Sequence, residues 1–227
     1  MSKMHLTNAD ELYAGAAYHE AAFAANGRKG VPVNFVTRLD LGTPDALDAD
    51  GYAKTQSPAG AGDLTLDGAL AGVADVARNV VVTSAADDRT KTFTVYGTDH
   101  YGVAVAETIT GSNGSTAAGL KAFKTVSRIA VSAATTGAIT VGTGDVLGLP
   151  IRIATADRII NAAYDGAVEA IAAFAKAVDT SPATAITGDV RGTVDMTSAL
   201  NNKSVIVNVI ADGSSGAAAY GVTQYAG

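Results

Sequence analysis

The sequence predicts a mainly β protein: an antiparallel β-sandwich or barrel of jelly-roll kind, with extended arms and one or two helices. Three observations predict it. Between residues 78 and 150, short β-branched runs alternate with turns rich in glycine, asparagine and aspartate. At least four such runs recur at the spacing expected of sandwich or barrel strands. Within several of them apolar and polar residues alternate, so one face of each strand turns inward and the other meets water.

The runs follow one another closely. Arg78-Asn-Val-Val-Val-Thr-Ser84 is the first, and Ala85-Ala-Asp-Asp-Arg89 turns the chain. Thr92-Phe-Thr-Val-Tyr96 sets Phe93 and Val95 on one face, and Gly97-Thr-Asp-His-Tyr-Gly102 reverses direction. In the next run Val103, Val105, Glu107 and Ile109 share a face, and Gly111-Ser-Asn-Gly-Ser115 ends it. From Lys121 to Ser132, Phe123, Ile129 and Val131 lie opposite Lys124 and Arg128. Ala138-Ile-Thr-Val141 and Leu147-Gly-Leu-Pro-Ile151 then read as two short strands joined by a turn at Gly142-Thr-Gly-Asp145.

Around this core the chain divides into residues 1–74, 75–212 and 213–227. Asn8-Ala-Asp-Glu11 resembles a helix cap, and Leu12, Ala16, His19 and Phe23 recur three or four apart. A short amphipathic helix and an extended arm both fit that stretch. Pro32 makes residues 31–37 an edge strand, because proline cannot donate to a ladder. Residues 42–72, rich in Gly, Pro, Asp and Ala, read as a long loop lying on a neighbouring subunit. Over residues 155–178, Ile160, Tyr164, Val168, Ile171 and Phe174 fall at helical spacing, which predicts a helix; two strands joined at Asp165-Gly166 are the competing reading. Strand character returns at Gly188-Asp-Val-Arg-Gly-Thr193 and, after an Asn201-Asn202 turn, at Val205-Ile-Val-Asn-Val-Ile210. Residues 213–227 read as a tail.

Composition narrows the function. The net charge of −6 is spread along the chain, which argues against nucleic-acid binding, since that needs a basic face. The chain has no cysteine, which excludes disulfides and thiolate zinc sites. No stretch reaches the length of a transmembrane helix, and the first residues lack the order of a signal peptide, so no membrane partner is expected. Alanine, glycine, valine and threonine supply most of the apolar content, and alanine buries little area at about 25 cal/mol per Å². Surfaces shared between subunits would compensate.

Candidate chemistry is sparse. Asp45, Asp48, Asp50 and Gly51 offer oxygens for calcium, but the spacing misses the cation-loop pattern and no closing glutamate follows. Gly142, Gly144 and Gly148 approach a dinucleotide loop with the third glycine one place late. His5, His19 and His100 lie near no nucleophile elbow, and His100 beside Asp99 reads as a turn residue with its ring in solvent. Asn113-Gly-Ser115 reads as a turn. Asp189 and Arg191, two apart on a strand, would share a face and pair structurally. The eight tyrosines, among them Tyr96 and Tyr101 near one turn and Tyr220 and Tyr225 near the end, are the only candidates for an aromatic binding platform. No residue is assigned a catalytic, cofactor-binding or metal-ligating role, and the chain is not expected to be an enzyme.

Several pieces share a pattern. Arg78-Asn-Val-Val-Val-Thr-Ser-Ala85, Thr92-Phe-Thr-Val-Tyr-Gly-Thr-Asp99 with Tyr101-Gly102, Glu107-Thr-Ile-Thr110, Lys121-Ala-Phe-Lys-Thr-Val126, Val141-Gly-Thr-Gly-Asp-Val-Leu-Gly-Leu-Pro150 and Ala183-Thr-Ala-Ile-Thr-Gly-Asp-Val-Arg-Gly-Thr193 occur in that order. Together, over residues 75–210, they resemble a pattern common in virion structural proteins of tailed bacteriophages. The resemblance implies a particle component without catalytic residues, foremost a capsid decoration (cement) protein that bridges major capsid protein subunits, as a homotrimer at three-fold or quasi-three-fold positions. It implies assembly in the host cytoplasm and residence on the virion. Tail, neck and baseplate proteins share such domains and form the alternative.

Overall fold

The computed structural model describes residues 36–180, 183–211 and 219–225. The expected N-terminal helix, the start of the Pro32 edge strand, His5, His19 and most of the tail lie outside them. The described chain is a mainly β fold of two antiparallel sheets, not closed into a barrel.

Thirteen strands are numbered in chain order: β1 (Val36–Gly42), β2 (Ala53–Gln56), β3 (Gly62–Asp63), β4 (Val73–Ser84), β5 (Thr92–Thr98), β6 (Ala104–Thr110), β7 (Thr116–Val131), β8 (Ile139–Gly148), β9 (Ile159–Tyr164), β10 (Ala167–Glu169), β11 (Ile171–Ala175), β12 (Thr193–Met196) and β13 (Val205–Ile210). The smaller sheet runs β1-β13-β9-β10 and the larger β11-β12-β8-β4-β7-β5-β6, with β2 on β8 and β3 on β7. Alternation explains the packing. In β13, Val205, Val207 and Val209 are fully buried while Ile206, Asn208 and Ile210 are half-buried, which seats one face on Leu39, Leu149 and Val194. The larger sheet wraps a second core around Phe93, Val95, Phe123, Ile129, Ile139 and Val141.

Four expectations are corrected. Residues 142–145 are not a turn, because β8 runs straight through them. The glycines are required there by close approach: a Cβ on Gly142 would lie 1.8 Å from the Asp48 carbonyl oxygen, and one on Gly144 would lie 2.3 Å from Asn79 Oδ1. The partner at that approach is the stretch expected to reach a neighbour. Residues 42–72 instead lie on their own sheet, with Tyr52 N–H donating to Val141 O (3.0 Å), Leu64 N–H to Ile129 O (2.8 Å) and Tyr52 and Ala53 fully buried.

Residues 155–178 are not a helix but β9, β10 and β11. Asp165 (φ 52°) and Gly166 (φ 80°) both take the left-handed conformation that a two-residue hairpin turn needs. The helical spacing misled because alanine between the large residues fits either structure. Lastly, Asp189 and Arg191 precede β12 rather than lying on it, and Gly192 turns the chain at φ 93°.

Candidate functional site

All but the first of the pieces that carry the resemblance contribute to one buried charged network. The β5–β6 turn supplies Asp99, whose Oδ1 accepts the N–H groups of Tyr101 (2.8 Å) and Val103 (2.9 Å). Those bonds close the turn and leave Oδ2 to meet Arg191 Nη1 at 2.9 Å; Asp99 is 0 % and Arg191 4 % exposed. Arg191 Nε donates to Leu149 O (3.0 Å), just past β8, and its backbone N–H donates to Asp189 Oδ1 (2.8 Å). Asp189 Oδ2 in turn accepts the N–H of Ala122 on β7 (3.1 Å). A charge-assisted pair held by further hydrogen bonds to backbone is the form in which burial of ions is tolerated.

On the other side of Ala122 stands Glu107 of β6. Its carboxylate accepts the N–H groups of Leu120 and Lys121, the latter at 3.1 Å. Gly119 makes room: a Cβ there would lie 2.6 Å from Glu107 Oε2. Burial pushes the Glu107 carboxyl up to about 7, against the backbone N–H bonds that favour its ionised form. Lys121 is wholly buried, and burial pushes its amine down, against the charges of Glu107 and Asp189. Among the described residues its Nζ has no hydrogen-bond partner.

Aromatic residues close the network toward solvent. The Arg191 guanidinium lies 5.2 Å from the centre of the Tyr101 ring, which meets Tyr220 edge-on at 5.3 Å, and Tyr101 Oη donates to Pro150 O (2.6 Å). The end of the chain joins in: Gly221 packs on Val190, and Ala106 N–H donates to Tyr225 O. The tyrosines proposed as a platform are therefore engaged in packing. Tyr220 is buried, Tyr96 lies half-buried under Arg128 at 4.0 Å, Tyr225 is half-buried, and Tyr101 is the most exposed of the four at 37 %.

His100 sits in the turn and is exposed, edge-on to Tyr101 at 4.8 Å. Desolvation and then Arg191 hold its ring below the ordinary range. Asp99 makes its ion pair with Arg191, so no Asp99-His100 dyad forms. Asp48 Oδ1 accepts the Asp50 N–H (3.3 Å) and Asp45 N–H donates to Asp75 Oδ2 (2.5 Å), so the Asp48 and Asp75 carboxylates cap backbone. Among the described residues no group of three His, Cys, Asp or Glu is arranged to hold a metal ion. Asn113 bridges Asp87 in a turn closed by Gly114 at φ 56°.

A second buried cation lies in the middle of β4. Arg78, 1 % exposed, donates through Nε to Gly144 O (2.7 Å) and through Nη1 to Asp45 O (3.0 Å), with Asp75 and Asp145 at 3.4 and 3.5 Å. This is what pins residues 45–51 over β8.

Glu107 and Lys121 were not singled out from sequence as site residues, although a signal existed. The alternation that puts Val105 and Ile109 inward puts Glu107 with them, and Lys121 shares the face of Phe123. Away from the network, an open apolar groove of about 530 Å³ lies between β9 and the β10–β11 stretch, lined by Ile159, Ile160, Val168, Ile171 and Phe174. No helix among the described residues is long and apolar enough to cross a membrane. No family model matches the chain, and no curated protein or solved structure is detectably similar to it.

Proposed function

We propose that the chain is a structural component of a tailed-phage particle, decorating the capsid and bridging major capsid protein subunits, and that it is not an enzyme. The observation that carries this reading is that the separate pieces that resemble virion structural proteins pack together, five of the six of them contributing to the Asp99–Arg191 network. The ionisable groups of that network support a structural role, because Glu107 and Lys121 are 3 % and 0 % exposed, out of reach of any substrate.

An unpaired sheet edge supports self-association. β10 ends one sheet and β11 ends the other, and the two are consecutive in the chain, so residues 167–175 form one edge unpaired on its outer side among the described residues. Edges left open are normally blunted by lysine, proline or an inward charge. This one has neither lysine nor proline, and its only charge, Glu169, is tied to Ser198 N–H and Oγ at 2.6 and 2.7 Å. Val168, 77 % exposed, and Ile160, 48 % exposed, border the apolar groove beside it. We assign this face to a second copy of the chain in the proposed trimer.

Incubating the purified chain with capsid shells stripped of it, then sedimenting them, tests the reading. Saturable co-sedimentation at a fixed ratio to the major capsid protein is expected. Association with isolated tails instead would favour the tail or baseplate alternative, and binding to neither would overturn both.

A further inference from the structure

Lys121 poses a chemical problem that packing alone does not solve. A wholly buried ammonium without an acceptor is among the least tolerated groups in a protein interior. Burial therefore favours the neutral amine, which is a nucleophile. Two carboxyl groups flank the same residue. Glu107 is held on the N–H groups of Leu120 and Lys121, and Asp189 on that of Ala122. Both carboxyl groups are buried, with Glu107 3 % and Asp189 2 % exposed.

An amine, a carboxyl group and a proton carrier sealed from water are the components of an amide condensation. We propose that Lys121 and Asp189 are a self-modification site, joined by an intramolecular amide bond with Glu107 as the proton carrier. The step requires the outer torsions of the Lys121 stem to carry Nζ onto Cγ of the Asp189 carboxyl group. The N–C bond forms as one C–O bond breaks; Glu107 takes a proton from Nζ and delivers it to the departing hydroxyl, which leaves as water. The other Asp189 oxygen remains as the amide carbonyl, and Glu107 ends as it began. No oxidant, reductant or cofactor enters.

Asp189 is the acceptor rather than Glu107 for a geometric reason. Glu107 is fastened to the backbone of Lys121 itself, so attack on it would require the lysine side chain to curl back on its own N–H. Its carboxyl, pushed up to about 7, can accept and release a proton near neutral pH. The bond would staple β7 to residues 188–192, across the join between the β5–β6 hairpin and β12. The inference does not rest on the proposed role in a particle.

The intact mass of the full-length chain, measured after denaturation, decides it. The chain is expected to be lighter than its sequence by one water molecule, with a proteolytic fragment linking Lys121 to Asp189. Lys121→Met and Asp189→Ala should restore the full sequence mass, and Glu107→Gln should abolish or greatly slow the loss. A wild-type chain that unfolds cooperatively yet carries its full sequence mass would overturn the proposal, whether or not the variants fold.

Discussion

Residues 97–126 together with 188–192, and residues 159–175, are strand-and-turn regions of one chain held by different physics. In the first, buried ions fix the geometry: Asp99, Arg191 and Asp189 each take backbone or side-chain partners from separate segments. In the second, small residues and a tight Asp165-Gly166 turn make a hairpin whose only ion pair, Asp165 with Lys203 at 3.1 Å, is exposed. The first region is specific because any misplacement strands a charge in the interior. The second is permissive, and its unsatisfied edge is free to meet a partner. The first region is fixed by buried charge, and the second carries the edge proposed above to meet another copy.

The sharpest way to break the comparison is to strand a charge. Arg191→Met leaves Asp99 buried without its cation and should cost about 3–5 kcal/mol, read as a shift in urea midpoint followed by far-ultraviolet circular dichroism. An effect below about 1 kcal/mol would mean that the ion pair does not organise the region.

Next in size is the Glu107 carboxyl. Because its folded-state value is raised from about 4.5 to about 7, the folded state holds that proton more tightly than the unfolded chain. The stabilisation is complete below about pH 4.5 and lost as pH rises through about 7, a change on the order of 3 kcal/mol. Glu107→Gln should flatten that part of the profile, and an unchanged slope would place the titration elsewhere.

Gly142→Ala should cost about 1–3 kcal/mol, because its Cβ would displace the Asp48 carbonyl and the stretch seated on β8. Limited proteolysis would then cut residues 45–56 faster than in the parent, whereas equal rates would mean that the stretch is not held by β8. The smallest effect on stability belongs to the open hairpin. Val168→Asp should change unfolding by no more than about 0.5 kcal/mol while shifting the mass in solution from oligomer to monomer. A monomeric parent chain, or an oligomer insensitive to the change, would remove the assembly role from this edge.

Much of the fold was legible in sequence, and the parts that were not share a cause. Phe93, Val95, Val205 and Val207 announce their strands because each alternates with residues facing water. Residues 142–145 look like a turn because glycine signals both a reversal of the chain and the close passage of another segment; only the distant Asp48 distinguishes them. Residues 155–178 look helical because alanine separates the large side chains, and the turn dipeptide at Asp165-Gly166 is the local feature that outweighs that spacing. The network was half visible. Asp189 and Arg191 read as a structural pair, whereas Asp99, Glu107 and Lys121 reach them through contacts spanning dozens of residues, which no local pattern encodes.

A cryo-electron microscopy map of the particle carrying this chain tests the division of labour most directly. The account predicts density on the capsid lattice, with copies of the chain meeting through residues 159–175 and the Asp99–Arg191 network enclosed within each copy. Density in which residues 159–175 face solvent on every copy, or which lies away from the shell altogether, would contradict it.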